Sequence, residues 1–525
     1  MLARNTSVVG FIRISKGPAT RQDSSSVVAD QAAAAVVEEH RARPAGAGRP
    51  HTTSARGRHR MTGDRFQEEH RKWRTLTAVA LGLFMIMLDN TVVNVALPSM
   101  QKSLDLEISQ LEWIVTGYAL TFGAFMLTGG KIADRFGRRR TFVTGLGVFT
   151  LSSLACGLAD SAVTLIWARV VQGVGAALMN PATLSIIAVA FPPWERGRAI
   201  GIWVGVSAIA LAIGPLVGGV LAEHASWNWI FFINLPIGVM AIVAAFAFID
   251  ESRDMSHEQR ADVPGLVTSG VGLFALTYGL IEANHYGWGS PRIVGAFTVA
   301  GVTLSAFIAL ERHQRIPMLD LELFRDRMFA GANAVLLLNA LAMFGVFFYV
   351  SLYMQQVLGF SPVKAGVMFL PMTMLVITVA PRAGHIADRI GPRLLVGVGQ
   401  LLVAVALLVF ARMTAQSSAW DLVPPMMISG AGMAMTMTPA TAAAMGSVRP
   451  DKMGVGSAVL NSARQVGGAI GIALMGAVVA ARLSSSLADG QAGPAAFVHG
   501  IQGGFHLSAA IALAGSAVGI TTLRR

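Results

Sequence analysis

The sequence predicts an all-α polytopic membrane protein with fourteen transmembrane helices, and three observations support this fold class. Hydrophobic residues make up 54% of the 525 positions. Charged residues make up 13%, whereas about 25% is usual in soluble domains. Runs of about twenty apolar residues, which are long enough to cross the hydrocarbon core of a bilayer, recur along most of the chain.

A basic region, residues 1–74, precedes the first apolar run. It is rich in Arg, Ala, Ser, Pro and Gly, contains fourteen Lys and Arg residues and lacks sustained apolar periodicity. This composition is typical of disorder, so we predict a disordered cytoplasmic tail. Residues 1–60 resemble translated upstream sequence, and we expect Met61 to be the native start. N-terminal sequencing of the natively expressed protein tests that hypothesis, because peptides from residues 1–60 would refute it.

Fourteen apolar segments follow the tail and divide the chain into three parts. We predict an N-terminal six-helix bundle at 75–249, a linker with two inserted transmembrane helices at 250–328, and a C-terminal six-helix bundle at 329–525. The predicted spans are 75–97, 112–130, 141–159, 163–189, 199–222, 229–249, 263–282, 292–311, 329–354, 364–381, 393–411, 421–444, 455–481 and 504–522.

The basic residues between the spans predict the orientation of the chain. Eighteen Lys and Arg residues fall in the connections that are cytoplasmic if the N-terminus is inside, against five in the opposite connections. Cytoplasmic loops of membrane proteins carry an excess of Lys and Arg. We therefore expect a multi-pass protein of the cytoplasmic membrane with both termini in the cytoplasm.

An internal repeat predicts that the two bundles are duplicated halves. The segment GKIADRFGR at 130–138 resembles GHIADRIGPR at 384–393, at an offset of 254 (388 minus 134). The tripeptide PAT at 181 recurs at 439, an offset of 258 (439 minus 181). The shared order and spacing indicate that spans 2–5 correspond to spans 10–13. Parallel repeats with a binding site between them are a known architecture of secondary transporters.

The stretch LDNTVVNVALP at 88–98 places a carboxylate inside the first apolar run. A charged side chain at mid-membrane depth costs about 2.5–3.5 kcal/mol on insertion scales, so such residues usually line a polar path and pair with another group. Asp89 is therefore predicted to bind and release protons, with Asn94 as a candidate polar contact for a substrate. The alternative is that Asp89 lies at a helix end among lipid head groups.

Arg169 is the predicted partner of Asp89, because it also lies within an apolar run, in span 4. A neighbouring guanidinium favours the ionised carboxylate, while burial favours the protonated acid. Protonation would then release Arg169 and deprotonation would recapture it, as proton coupling requires. Gln172 is predicted to add a hydrogen bond to this pair. The alternative is a static ion pair with a structural role.

The two copies of the repeated segment lie between spans 2 and 3 and between spans 10 and 11. Their glycines permit tight turns, and Asp134 is suited to accept from helix N-terminal amides or to pair with arginines of the next span. We predict that these contacts latch one conformation; the alternative is a topological anchor of basic residues. The predicted gating residues are Gly130, Asp134, Arg135, Gly137 and Arg138, with Gly384, Asp388, Arg389 and Gly391 in the second copy.

Two further groups of residues stand out inside predicted spans. Gly214, Pro215, Gly218 and Gly219 interrupt the helix ladder of span 5 and allow helices to approach closely. Gln355 in span 9 and Arg464 in span 13 are candidate polar contacts for a substrate, and a packing role near the cytoplasmic end is the alternative for Arg464.

Five stretches of the chain resemble the fourteen-span drug:proton antiporter subfamily of the major facilitator superfamily, of EmrB/QacA type. The resemblance covers residues 75–525, with Asn228 where the subfamily usually has Arg and Ala210 where Gly is commoner. The five stretches are LDNTVVNVALP at 88, GKIADRFGRRR at 130, LIWARVVQGVGAA at 165, AIGPLVGGVL at 212 and WNWIFFINLPIG at 227.

The resemblance implies the major facilitator fold and export of small molecules in exchange for protons, by alternating access. We expect amphipathic, lipophilic and in some cases cationic drugs as substrates, with protons and the lipid bilayer as the other partners and no cofactor. In the family, the motif around Gly214 and Pro215 accompanies antiport. The alternative is an exporter dedicated to one endogenous metabolite or antibiotic. A more distant alternative is an importer or an amino-acid exporter on the same fold.

The sequence argues against three other functions. The net charge of +12 suggests nucleic acid, but the basic residues cluster in the tail and in short loops. The single Gly-Lys step, Gly130-Lys131, is preceded at the required spacing by Phe125 and followed by Ile132, so no P-loop for ATP is present. The histidines lie mostly in the tail and loops, and Cys156 is the only cysteine. An enzyme, a disulfide and a metal site are therefore not expected.

Overall fold

The computed structural model describes residues 55–253, 262–314, 317–449 and 452–523. The chain divides into two units, Met1–Arg65 and Phe66–Arg525, and the candidate membrane-spanning segments lie in the second. Within the described ranges the chain is helical and contains no β-strand. This confirms the predicted all-α fold class.

Sixteen α-helices are present in the described part of the chain, together with a 3₁₀-helix at Leu321–Arg325 and a π-helix at Tyr353–Val357. The α-helices are α1 (Ala55–Leu104), α2 (Ile108–Phe136), α3 (Arg138–Gly157), α4 (Ala162–Ala190), α5 (Pro193–His224), α6 (Trp229–Phe232), α7 (Asn234–Phe248), α8 (Val263–Tyr286), α9 (Pro291–His313), α10 (Arg327–Leu352), α11 (Pro362–Met368), α12 (Leu370–Ile390), α13 (Pro392–Phe410), α14 (Ala419–Ser447), α15 (Met453–Ala488) and α16 (Gly493–Thr522).

Twelve helical segments of the described chain are long and apolar enough to cross a membrane, and each coincides with a predicted span. The other two predicted spans, 141–159 and 421–444, are also helical, as α3 and α14. They are less apolar because α3 begins with three arginines and α14 contains three prolines. Both pack within their own half, α3 on α4 and α14 on α13.

The first helix begins earlier than predicted. Residues 55–74, which we expected to belong to a disordered tail, form the start of α1, and the membrane-spanning segment begins at His70. The stretch 65–74 contains Arg, Gln, Glu and Lys, which are good helix formers, so the helix continues beyond the apolar run. Residues 1–54 lie outside the described part, and the start at Met61 stays a prediction.

The two copies of the repeated segment adopt the same local structure. Gly137 and Gly391 follow α2 and α12 and have positive φ values of 115° and 87°. Their amides donate to the carbonyl oxygens of Ala133 and Ala387 at 3.1 and 2.8 Å, and these two alanines are again 254 positions apart (387 minus 133). Glycine is required because a positive φ strains other residues. This agreement in local structure supports the predicted duplication.

The halves meet through two sets of helix contacts that the internal repeat relates to each other. Helix α2 of the first half packs against α15 of the second, and α5 packs against α11 and α12. Since spans 2 and 5 correspond to spans 10 and 13, these are equivalent contacts related by the duplication. The inserted helices α8 and α9 pack against each other, and α8 also contacts both α2 and α15.

Two close contacts between the halves lie at one end of the helices, here called the distal end, which carries the turn at residues 105–107. The opposite, proximal end carries Gly137 and Gly391. At the distal end a Cβ added to Gly219 of α5 would overlap the backbone of Pro362, and the side-chain amide of Gln355 donates to the carbonyl oxygen of Val95 at 2.9 Å. The halves are therefore tightly packed there.

The proximal half of α5 is packed much more loosely. Most positions between residues 194 and 209 are exposed, whereas Ala199 and Ala210 are buried and Trp203 donates a hydrogen bond to Thr183. No atom lies within 4 Å of a Cβ placed at Gly197, Gly201 or Gly205. The proximal half of α5 therefore has one packed side, and its remaining sides are exposed.

This contrast along α5 predicts opposite effects for the same substitution. Gly219→Ala should lower the melting temperature of the detergent-solubilised protein, because overpacking costs about 1–3 kcal/mol. The matched control, Gly201→Ala, should leave the melting temperature unchanged or raise it, because Ala is favoured over Gly in helices by about 1 kcal/mol. Equal shifts for the two variants would contradict the tight distal packing.

Candidate functional site

The centre of the candidate site is a buried ion pair between α1 and α4. Asp89 is fully buried and Arg169 is 1% exposed, and Nη1 of Arg169 lies 2.6 Å from Oδ2 of Asp89. The structure thus brings together the two charged residues that interrupt the apolar runs. Asp89 lies well inside α1, so the alternative placement at a helix end does not hold.

Three polar side chains complete a hydrogen-bond network around this pair. The side-chain oxygen of Gln172 accepts from Arg169 at 2.6 Å, and its amide donates to Oδ1 of Asp89 at 3.1 Å and to Ser153 at 2.7 Å. The amide of Asn234 donates to the same Oδ1 at 3.3 Å and to Ser153 at 3.0 Å. Helices α1, α3, α4 and α7 of the first half therefore converge on one carboxylate.

The guanidinium of Arg169 has further partners on α2 and α6. Its Nε donates to the carbonyl oxygen of Ile114 at 3.2 Å. Its Cζ lies 4.2 Å from the centre of the Tyr118 ring and 5.8 Å from that of Phe231. Aromatic faces attract cations, most strongly in desolvated surroundings. These contacts hold Arg169 in place while its charge is compensated by Asp89.

This arrangement accommodates an ionised carboxylate and opposes a neutral one. Oδ1 of Asp89 accepts from two amides and Oδ2 accepts from a guanidinium. Protonation of Asp89 would leave Arg169 as a buried cation without its counter-ion, and an uncompensated buried charge is strongly destabilising. In the described residues no group of three or more His, Cys, Asp or Glu side chains could hold a metal ion.

Sequence reasoning did not identify Ser153, Asn234 and Tyr118 as part of this site. All three lie within predicted spans, and the first two are polar residues inside apolar runs, which is the signal that could have found them. Asn234 is fully buried and its Oδ1 has no partner among the described residues. Tyr118 shows no such signal, because tyrosine is common in membrane helices.

The predicted gating segment is held by two carboxylates at the proximal end. Oδ1 of Asp134 accepts from Nε and Nη2 of Arg138 at 3.0 and 2.9 Å, so Asp134 pairs with the first residue of α3. The backbone amides of Arg139 and Arg140 instead donate to Glu251, each at 3.2 Å. The acceptor for the α3 N-terminus is therefore Glu251 rather than Asp134. Gly130 and Arg135 lie in the last two turns of α2, and Asp388 and Arg389 lie in the last turn of α12 together with Gly384 one turn earlier.

The glycines of α5 place this helix directly against the helix that carries Asp89. A Cβ at Gly214 would overlap Thr91, and a Cβ at Gly218 would overlap the backbone of Val92. Helix α5 continues through Pro215, whose carbonyl group lies against Gly366 of the second half. A displacement of α1 near Asp89 therefore meets α5 first and the second half next.

Arg464 of α15 is a half-buried cation about one third of the way along its helix. No hydrogen bond, ion pair or ring contact joins it to any other described residue. The adjacent Gln465 lies against Gly123 of α2, and its side-chain nitrogen is buried without a partner in the described chain. An uncompensated guanidinium in a membrane helix faces protein polar groups, water or a ligand.

The remaining predicted polar contacts are engaged within the protein. The side-chain amide of Asn94 donates to the carbonyl oxygen of Asn90, one turn earlier in α1, at 3.3 Å. The side-chain amide of Gln355 donates to the carbonyl oxygen of Val95 in the first half. It also donates to Ser351, one turn earlier in its own half, at 3.2 Å. In this conformation Gln355 therefore joins the distal ends of the two halves.

The buried pair predicts a distinctive pattern of stabilities. Arg169→Gln should lower the free energy of unfolding by about 3–5 kcal/mol, because Asp89 is left without a counter-charge. Adding Asp89→Asn to it should recover much of the loss, since no buried charge then remains. Lys102→Gln, which removes an exposed cation, is the matched control and should leave the melting temperature unchanged. A double variant no more stable than Arg169→Gln alone would contradict this account of the pair.

Comparison with proteins of known sequence finds many relatives. The chain is 36% identical to the tetracenomycin C resistance and export protein of Streptomyces glaucescens, over 80% of this chain and 78% of that one. It is 38% identical to the multidrug resistance protein Stp of Mycobacterium tuberculosis, over 79% and 77%. It is 36% identical to the puromycin resistance protein pur8 of Streptomyces alboniger, over 84% and 89%.

Solved structures show the same fold at low sequence identity. A bacterial homologue of the human lysosomal transporter Spinster superposes with a TM-score of 0.63 at 17% identity, over 86% of this chain and 97% of that one. The human organic anion transporter MFSD10 gives a TM-score of 0.58 at 17% identity, over 85% and 99%. The family model of the Major Facilitator Superfamily matches residues 79–472, which confirms the predicted family. The chain is a member of the major facilitator superfamily, whose members are membrane transporters.

Proposed function

We propose that the protein exports amphipathic drugs or toxic small molecules in exchange for protons, and that Asp89 carries the proton. The observation that carries this proposal is the buried network in which Asp89 is compensated by one guanidinium, that of Arg169. Neutralising that carboxylate removes the counter-ion of a buried cation, so protonation has a large energetic consequence inside the first half. If the pair had only a structural role, two well-packed apolar side chains could replace it without loss of stability.

The packing suggests how protonation moves the halves. Once Asp89 is neutral, Arg169 loses its main attraction to α1, and α1 is free to shift against α4. The segment at Thr91 and Val92 lies against the glycines of α5, and α5 in turn lies against Pro362 at the distal end. The shift therefore reaches the contact that holds the distal ends together. The Asp134–Arg138 pair lies within the first half and is formed in this conformation, so latching of the proximal ends in the opposite conformation would require Asp134 and Asp388 to make other contacts.

The distribution of basic residues orients this cycle. The proximal end carries Arg138, Arg139 and Arg140 and the corresponding second-copy loop, and the positive-inside rule supports a cytoplasmic location for this end. The distal end would then face the outside of the cytoplasmic membrane.

The names of the relatives guide the choice of substrate class. Stp is named for multidrug resistance, and others are named for resistance to tetracenomycin C, puromycin and methylenomycin A. An uncompensated Arg464 in the first half of α15 would favour compounds that offer carbonyl, phenolate or carboxylate oxygens. An exporter dedicated to one antibiotic is the second candidate, because several relatives are named for a single compound.

The antiport proposal predicts the behaviour of proteoliposomes that contain the purified protein. Addition of ethidium, puromycin or a tetracenomycin-type polyketide to wild type should cause movement of protons across the membrane, and Asp89→Asn should abolish it. Asp160→Asn, which removes an exposed carboxylate, is the matched control and should behave as wild type. A response to several compounds supports multidrug export, and a response to one alone supports the dedicated exporter. Proton movement by Asp89→Asn equal to wild type would refute the role of Asp89.

The proposed role of Arg464 predicts a loss that depends on the substrate. Arg464→Gln should raise KM for oxygen-rich neutral or anionic compounds by about tenfold, which corresponds to about 1.4 kcal/mol for one charge-assisted hydrogen bond. Its KM for ethidium, a cation, should not rise. Arg412→Gln, an exposed arginine near the distal end, is the control. Equal losses for all compounds would indicate that Arg464 has only a packing role.

A further inference from the structure

A second buried acid lies at the contact between the two halves, away from Asp89. Glu112 is in the second turn of α2 and is 3% exposed. The hydroxyl of Tyr349, on α10 of the second half, donates a hydrogen bond to its Oε1. A Cβ added to Gly476 of α15 would overlap the same carboxyl group. Glu112 is thus enclosed by two helices of the opposite half at the distal end.

The groups that face Glu112 do not compensate a negative charge. From α10 the facing titratable group is Tyr349, and from α8 it is Glu282, which accepts a hydrogen bond from the indole of Trp113 at 3.3 Å. From α15 the facing residue is Gly476, whose neighbours carry no charge. No lysine or arginine of the described chain is ion-paired with Glu112.

Glu112 and Asp89 therefore differ in the protonation state that their surroundings accept. Asp89 has a guanidinium and two amides, which suit an ionised carboxylate. Glu112 has one neutral hydroxyl and a second acid nearby, and an ionised carboxylate without a cation is very costly to bury. A protonated Glu112 needs only a single hydrogen-bond partner, and Tyr349 supplies it. The closed distal contact is compatible with the neutral acid.

We propose that Glu112 is a second proton-binding site, which must hold a proton for the distal ends of the two halves to pack together. Loss of that proton creates a buried anion, and the charge is relieved when α2 separates from α10 and α15 and water enters. The inference rests on the proposed function for its direction: with the distal end outside, closure of the transporter after substrate release requires a proton from the external medium.

The test is a distance between the distal ends of the two halves, measured without substrate. Spin labels are attached at Lys102→Cys on α1 and at Gln416→Cys between α13 and α14, both exposed positions. The buried native thiol is removed by Cys156→Ala. Double electron–electron resonance in nanodiscs should give a short distance at acidic pH and a longer one at alkaline pH.

Variants in this labelled background separate Glu112 from the other acids. Glu112→Gln should keep the short distance at every pH, because the amide stays neutral. Asp160→Asn, at an exposed carboxylate, should keep the pH-dependent change. Asp89→Asn measures how much of that change belongs to the other buried acid. Glu282→Gln should move the change in distance to lower pH, because a neighbouring negative charge no longer opposes ionisation of Glu112. If Glu112→Gln does not fold, this shift with Glu282→Gln tests the proposal in its place.

Two results would overturn the proposal: a wild-type distance that does not depend on pH, or a Glu112→Gln variant with the same pH dependence as wild type. If the dependence disappeared in Asp89→Asn and persisted in Glu112→Gln, Asp89 alone would control the distal contact. The readout is a conformational distance, so it can fail while substrate-dependent proton movement is intact. Failure of this proposal and failure of the antiport proposal are therefore distinguishable.

Discussion

The buried pair of Asp89 and Arg169 is the constraint on which the first half depends. Two charges are removed from water within a helix bundle, and the structure must supply partners for both of them. Four helices contribute to the carboxylate or its neighbours, and a backbone carbonyl and two aromatic rings contribute to the guanidinium. The relative positions of α1, α3, α4 and α7 are thereby tied to one protonation state. Such an arrangement opposes protonation, and a single bound proton would upset its charge balance.

The glycine-rich part of α5 connects this pair to the second half. This helix is closely packed on two sides, because Gly214 and Gly218 lie against α1 and Gly219 lies against Pro362. Side chains at these positions would keep α5 away from both neighbours and would weaken the mechanical link. The two acids then have complementary places in one cycle: Asp89 acts inside the first half, and Glu112 lies where the halves meet. Proton binding at Glu112 would make closure of the distal end conditional on the external medium.

The sequence was most informative where charge interrupts an apolar run. Asp89 and Arg169 could be identified and paired because each is an isolated charge deep in a predicted span, and the repeat located the two halves. Glu112 escaped notice because it falls at the predicted edge of span 2 and its partner Tyr349 is 237 positions away, in the other half. Contacts between halves depend on three-dimensional packing, which local patterns do not encode. The early start of α1 was missed for a related reason, since charged helix formers lack the apolar signal of a span.

The central claim is that substrate and proton compete through Asp89, and the most direct measurement is proton release on substrate binding. Purified protein in lightly buffered, mildly acidic detergent solution is mixed with ethidium, puromycin or a tetracenomycin-type polyketide, and an indicator dye records released protons. The account predicts stoichiometric proton release by wild type and none by Asp89→Asn with the same bound ligand. Equal release by both proteins, or binding to wild type without release, would contradict it.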